Sequence, residues 1–167
     1  MSEKDSEILL RQINNHLGIA HKISRIYFDS EDERKDAVQE MMYQLWKSYP
    51  SFDNRSKFST WMYRVCLNTA LTFRKKENRR KTEPIREGHY EIADQGTDPK
   101  QEESQLLFEA ISRLPGLNKA IIFLYLEDQS YDEIAEVTGL TKSNVSVRLV
   151  RIRRELEQII KENIKQV

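Results

Sequence analysis

Apolar positions in this chain recur at steps of three and four, the period of a helix, from one end to the other. Ile8, Leu9, Ile13 and Leu17, then Ile19, Ala20, Ile23 and Ile26, predict helix from Ser6 to about Tyr27, with Gly18 the point that kinks or divides it. A polar, acidic connection from Phe28 to Arg34 leads to a second helix, from about Glu33 to Ser48. It turns Ala37, Val38, Met41, Met42, Leu45 and Trp46 inward and Asp36, Gln39, Glu40 and Gln44 outward. Tyr49-Pro50 ends it, because the residue before a proline is pushed out of the helical region. Past the loop SFDNRSKF, a third helix starts at Ser59 or Thr60. Trp61, Met62, Val65, Cys66, Thr69 and Phe73 face inward, leaving Tyr63, Arg64, Asn68 and the run from Arg74 to Lys81 on other faces. Residues 82–100 hold two prolines, two glycines and no helical period, and read as a flexible linker between domains. Helix resumes at about Gln101, breaks at Pro115-Gly116 and returns from Leu117 to Leu126.

The stretch SYDEIAEVTGLTKSNVSVRLVRIRREL, Ser130 to Leu156, then reads as two helices joined by a tight turn. Ser130 and Glu133 have the spacing of a capping box, and Ile134, Ala135 and Val137 supply the apolar side of the short first helix. Gly139 falls where a chain leaving a helix needs positive φ. Thr141 caps a second helix whose apolar residues Val145, Leu149, Ile152 and Leu156 step by four, three and four, making one buried stripe. Its other faces are polar and cationic, with no acid between Lys142 and Arg154. A capped pair of helices with these features is a helix-turn-helix offering a recognition helix to a DNA major groove.

Composition adjusts this picture in three ways. The 167 residues balance 27 basic against 27 acidic side chains, so net charge alone argues against nucleic acid. The charge is segregated, however, and a field acts over roughly 8–10 Å at physiological salt. Residues 74–81 carry six bases and one acid, whereas 29–40 carry six acids and two bases, and 83–109 eight acids and two bases. Cys66, the single cysteine, excludes an internal disulfide and reads as a buried, inert thiol in a reducing, cytoplasmic setting. The N-terminus shows no signal-peptide pattern, and no stretch approaches the ~20 apolar residues of a membrane span. Nothing argues for an enzyme: there is no phosphate-cradling glycine loop, no nucleophile elbow and no metal-ligand cluster, so no catalytic residue, metal or cofactor is expected. His89 reads as solvated, and the acids from Asp29 to Asp36 lack a calcium loop's ligand spacing.

Three stretches, in order, resemble the sigma-70 family of RNA polymerase sigma factors, in its small extracytoplasmic-function (group four) form. DAVQEMMYQLW, Asp36 to Trp46, is similar to the family's D-x-V-Q-E-x-F-x-x-x-W helix in region two. FSTWMYRVCLNTALTFRKK, Phe58 to Lys76, is similar to its F-x-x-W-L-x-x-I-A-x-N-x-x-x-D-x-x-R pattern, with Thr72 in place of Asp. The stretch from Ser112 to Leu156 resembles region four. The resemblance implies an all-α protein of two small helical domains: a region-two-like domain at 1–81, a linker at 82–100 and a region-four-like domain at 101–167.

By that resemblance Asp36, Gln39 and Glu40 bind core RNA polymerase. Phe52, Asn54, Arg55 and Lys57, in the loop before the third helix, shape a pocket for an unstacked base of the promoter's minus-ten element. Arg64 and Asn68 follow on the helix, where Trp61 reads as core, and Arg74, Lys75, Arg79 and Arg80 meet phosphates. Thr141, Lys142, Ser143, Asn144, Ser146 and Arg148 face base edges of the minus-thirty-five element, with Arg151 and Arg154 on phosphates. Val147 either meets a thymine methyl there or shifts the docking, and the sequence leaves both open. The partners implied are core polymerase and promoter DNA, with an anti-sigma protein as a further one. A stand-alone helix-turn-helix regulator is the alternative, and a helical adaptor without a DNA role a third; neither needs the N-terminal half together with the basic runs.

Overall fold

In the computed structural model, which describes residues 1–80 and 99–166 and the side chains of 1–76 and 99–166, every regular element among the described residues is helical. The chain divides into two units, Met1–Gly88 and His89–Val167. Most of the predicted linker, 82–98, lies outside the described residues.

In the first unit, α1 (Glu3–Asn15) opens on a reciprocal cap. The Ser2 hydroxyl accepts the Asp5 N–H at 3.1 Å, and the Asp5 carboxylate accepts the Ser2 N–H at 3.3 Å. The break that the periodicity assigns to Gly18 falls at His16, whose φ of −125° and ψ of 21° leave the helix. Its ring covers the Gln12 carbonyl, with Nδ1 at 2.9 Å, and lies 5.6 Å from the Phe58 ring. Gly18 itself is exposed and helical in α2 (Leu17–Tyr27).

Helix α3 (Glu31–Ser48) starts at Ser30, whose hydroxyl accepts the Glu33 N–H at 3.1 Å. Three acids in its first turn sit at the positive end of the helix dipole. The start is earlier than the periodicity suggests because Phe28 belongs to the core, 3% exposed and edge-on to Phe73 at 5.6 Å. A 3-10 turn, Tyr49–Ser51, leads through the loop to α4 (Phe58–Arg80).

Helices α2, α3 and α4 pack against one another as a three-helix bundle. This corrects two sequence assignments. Trp46, expected inward, is 55% exposed, because α3 buries only the narrow row Ala37, Met41 and Leu45. Tyr63, expected outward, is 5% exposed. Helix α4 meets both α2 and α3, so it carries two buried rows, Met62–Cys66–Thr69 and Tyr63–Leu67–Ala70.

The second unit comprises α5 (Pro99–Ser112), α6 (Gly116–Leu126), α7 (Tyr131–Thr138) and α8 (Lys142–Lys165). Pro99 stands at the first helical position, where its missing N–H has no partner to lose. Helix α8 packs on the other three. Its stripe Val145, Leu149, Ile152 and Leu156 closes a core with Ile111, Leu114, Ile121, Leu124 and Ile134. Each such buried aliphatic side chain contributes about 1.5–3 kcal/mol. Val137 is buried with them, whereas Ala135 is half-exposed. Lys119, 2% exposed, places a charged side chain among the buried residues of α6.

Candidate polymerase and nucleic-acid interfaces

On α3 the bundle leaves one face uncovered. Asp36 and Gln39 are exposed, and Glu40 is half-buried with its carboxylate accepting from the Gln44 amide at 3.0 Å. Tyr43 and Trp46, one and two turns beyond Gln39, are 51% and 55% exposed. Two large aromatic rings beside the polar residues give this face an apolar surface that periodicity did not place there. The i, i+4, i+7 spacing from Gln39 was the available signal, since it puts all three on one side of a helix.

Between α3 and α4 lies a polar cleft of about 330 Å³, lined by Glu40, Gln44, Asn68, Thr69, Thr72, Phe73 and Lys76. It brings together Glu40 and Asn68, which the sequence reading assigned to different partners. Along α4, Trp61, Arg64, Asn68, Thr72 and Lys75 step by three, four, four and three, so they share one side of the helix. Arg64, Asn68, Thr72 and Lys75 are exposed.

That row begins at an aromatic cluster. Trp61 lies 4.9 Å from Phe52 and 5.4 Å from Phe58, and Tyr49 lies 6.1 Å from both Phe52 and Trp61. Phe52 and Trp61 are each half-buried. The loop between them turns at Asn54, whose φ of 59° is left-handed, a conformation asparagine tolerates better than most residues. Asp53 accepts from the Arg55 N–H at 3.2 Å and pairs with its guanidinium at 3.0 Å. Asn54, Arg55 and Lys57 are all exposed. Arg74 points elsewhere: half-buried, it donates to the Tyr27 carbonyl at 3.3 Å. Helix α4 continues through Arg79 and Arg80, whose side chains lie outside the described residues.

In the second unit, Ser130 and Glu133 form the expected reciprocal cap, at 3.1 and 2.9 Å. Gly139 takes a φ of 77°, and the Thr141 hydroxyl accepts the Asn144 N–H at 3.1 Å. Ser143, Asn144, Ser146, Arg151 and Arg154 are exposed. Lys142 pairs with Asp132 at 3.5 Å across the turn, an exposed contact of little weight. Arg148 is half-buried and donates to the Asn118 side-chain oxygen at 3.4 Å. Arg153 turns back over the Tyr125 ring, 4.4 Å from its centroid. Burial pushes the Cys66 thiol up to about 12, so it stays protonated at neutral pH.

The fold and these faces define a two-unit helical protein with an uncovered polar and aromatic face on α3 in one unit and a helix-turn-helix with a cationic second helix in the other. Comparison with known proteins makes that class specific. Sigma-70 region 2 matches residues 13–80, and Sigma-70, region 4 matches residues 104–156. The chain is 33% identical over 144 residues to the ECF RNA polymerase sigma-E factor of Haemophilus influenzae, covering 78% of this chain and 76% of that one. It is 28% identical over 159 residues to RNA polymerase sigma factor SigV of Bacillus subtilis, covering 94% of each. The fold matches the sigma factor RpoE solved with the anti-sigma factor NepR from Bartonella quintana, with a TM-score of 0.67, 18% identity and 96% and 98% coverage. It also matches CnrH solved with the cytosolic domain of CnrY, with a TM-score of 0.68, 18% identity and 94% and 90% coverage. The chain belongs to the sigma-70 family, in its extracytoplasmic-function form, and its function is that of an RNA polymerase sigma factor. No described helix is long and apolar enough to cross a membrane.

Proposed function

We propose that the two units divide the work of initiation, in domains bounded at 1–81 and 101–167. The first docks on core RNA polymerase through α3, with Asp36, Gln39 and Glu40 steering and Tyr43 and Trp46 anchoring. Polar rims set association rates and specificity, while buried aromatic anchors hold a complex together. The same unit holds the melted minus-ten strand: Asn54, Arg55 and Lys57 meet it at the loop, and Arg64, Asn68 and Lys75 track it along α4. Phe52 supports the loop from within the aromatic cluster. Arg79 and Arg80 extend the basic row toward phosphates. The second unit seats α8 in the major groove of the minus-thirty-five element, with Lys142, Ser143, Asn144 and Ser146 near base edges and Arg151 and Arg154 on phosphates. Thr141 fixes the start of the helix, and Arg148 is steadied by Asn118.

The observation that carries this reading is the uncovered face of α3, where Gln39, Tyr43 and Trp46 stand exposed beside Asp36. A regulator that bound duplex DNA alone would have no use for it. The protein acts in the cytoplasm as a non-enzymatic subunit. An anti-sigma protein is among its partners, a proposal supported by the fold it shares with RpoE, which was solved bound to one. Run-off transcription with purified core polymerase, beside a band shift on duplex DNA without it, tests the scheme. Core-dependent initiation that is lost in Gln39→Ala/Glu40→Arg is the expected result. Tight duplex binding without core, unchanged in that variant, contradicts it.

A further inference from the structure

The outward face of the recognition helix carries two apolar side chains, Val147, for which the sequence offers two roles without choosing, and Val150, which no role above uses. Val147 and Val150 are each 50% exposed. With Ser143 and Arg154 they repeat the four-three-four step of the buried stripe Val145, Leu149, Ile152 and Leu156, displaced by two residues. Two residues turn a helix by about 200°, so this second row lies opposite the core. β-branched side chains lose rotamer freedom in a helix, and at half-exposed positions packing within the unit offsets that loss only in part. The pair therefore adds little to the stability of the free helix.

Charge identifies the occupant. From Lys142 to Arg154 the helix carries cations and no acid, so the surface it complements is a polyanion. On the floor of a DNA major groove the apolar group on offer is the 5-methyl of thymine. Arg148, the cation nearest the middle of the helix's reading segment, is turned aside to Asn118 at 3.4 Å. The centre of the outward row is thus apolar, with a hydroxyl at one end and a guanidinium at the other.

We infer that Val147 and Val150 read the 5-methyl groups of thymines in the upstream promoter element, making recognition at that step apolar. The inference rests on the proposed seating of α8 in the major groove. It is tested with holoenzyme assembled from the full chain and core polymerase, selecting duplexes from a library randomised in the upstream region. The selected site is then rebuilt with each upstream thymine replaced singly by uracil, which removes only the methyl. Binding is measured for the wild type, Val147→Ala, Val150→Ala and Val147→Ile.

At one or two positions uracil should weaken wild-type binding by about fourfold, the effect of one buried CH₂ group. The matching alanine variant should lose that discrimination, retaining less than about a twofold difference, while Val147→Ile keeps it. Both alanine variants should melt at or above the wild-type temperature, which separates a reading defect from a folding one. Indifference of the wild type to every upstream uracil, or full discrimination in both alanine variants, overturns the inference and points to a protein partner on this row. If the holoenzyme enriches no upstream sequence at all, the seating of α8 fails, and the inference with it.

Discussion

Gly139 shows how much one residue can fix. Its φ of 77° is left-handed, and no heavy atom lies within 4 Å of where a Cβ would stand. Gly139→Ala therefore meets only the backbone penalty, about 1–2 kcal/mol, to be seen as an earlier midpoint of urea unfolding. Cys66 gives a pH prediction. Its thiol, at about 12 when folded against an ordinary value near 9.0, keeps a proton that the unfolded chain releases. Stability from this group is full below pH 9 and falls by about 1.4 kcal/mol per pH unit as pH rises toward 12. Alkaline unfolding followed by circular dichroism should have a shallower slope in Cys66→Ala than in the wild type.

Among the elements, α3 separates stability from function most cleanly. Leu45 is fully buried, and Leu45→Ala should cost about 2–5 kcal/mol. Tyr43 and Trp46 are exposed, so replacing either with alanine should shift stability by no more than about 0.5 kcal/mol. Their loss should instead weaken capture of core polymerase by tenfold or more, the effect of about 1.4 kcal/mol at an anchor residue. A titration of labelled protein with core polymerase measures it. Unaltered affinity in the Tyr43→Ala/Trp46→Ala double variant would show that α3 docks through its polar residues alone. On α4, Arg64→Ala and Lys75→Ala should each reduce by about one the slope of log affinity against log salt for promoter DNA.

For the whole molecule, net charge is a poor guide. The formal sum is zero, yet holoenzyme binding to promoter DNA should weaken steeply with salt, because the cations on α4 and α8 act locally. The segregated charge also suits a subunit with two kinds of partner. Acids crowd the start of α3, the helix proposed to dock on polymerase, and the cations proposed to meet DNA lie on α4 and α8. Zero net charge is then the sum of two opposed local surfaces.

The helix-turn-helix was legible in the sequence because its signals are local. The caps at Ser130 and Thr141 close hydrogen bonds three residues away, and Gly139 answers a backbone demand at its own position. The helical period and the polar face of Asp36 and Gln39 could be read for the same reason. Other features depended on how many neighbours each helix meets, which periodicity does not encode. Helix α3 buries a single narrow row, so Trp46 is left outside, whereas α4 lies between two helices and takes Tyr63 in. Arg148 turns to Asn118, thirty residues earlier, leaving the valines at the centre of the outward row. Glu40 and Asn68 share a cleft only because α3 packs beside α4. Short-range chemistry was written in the order of residues; which faces remain for polymerase and DNA was decided by packing.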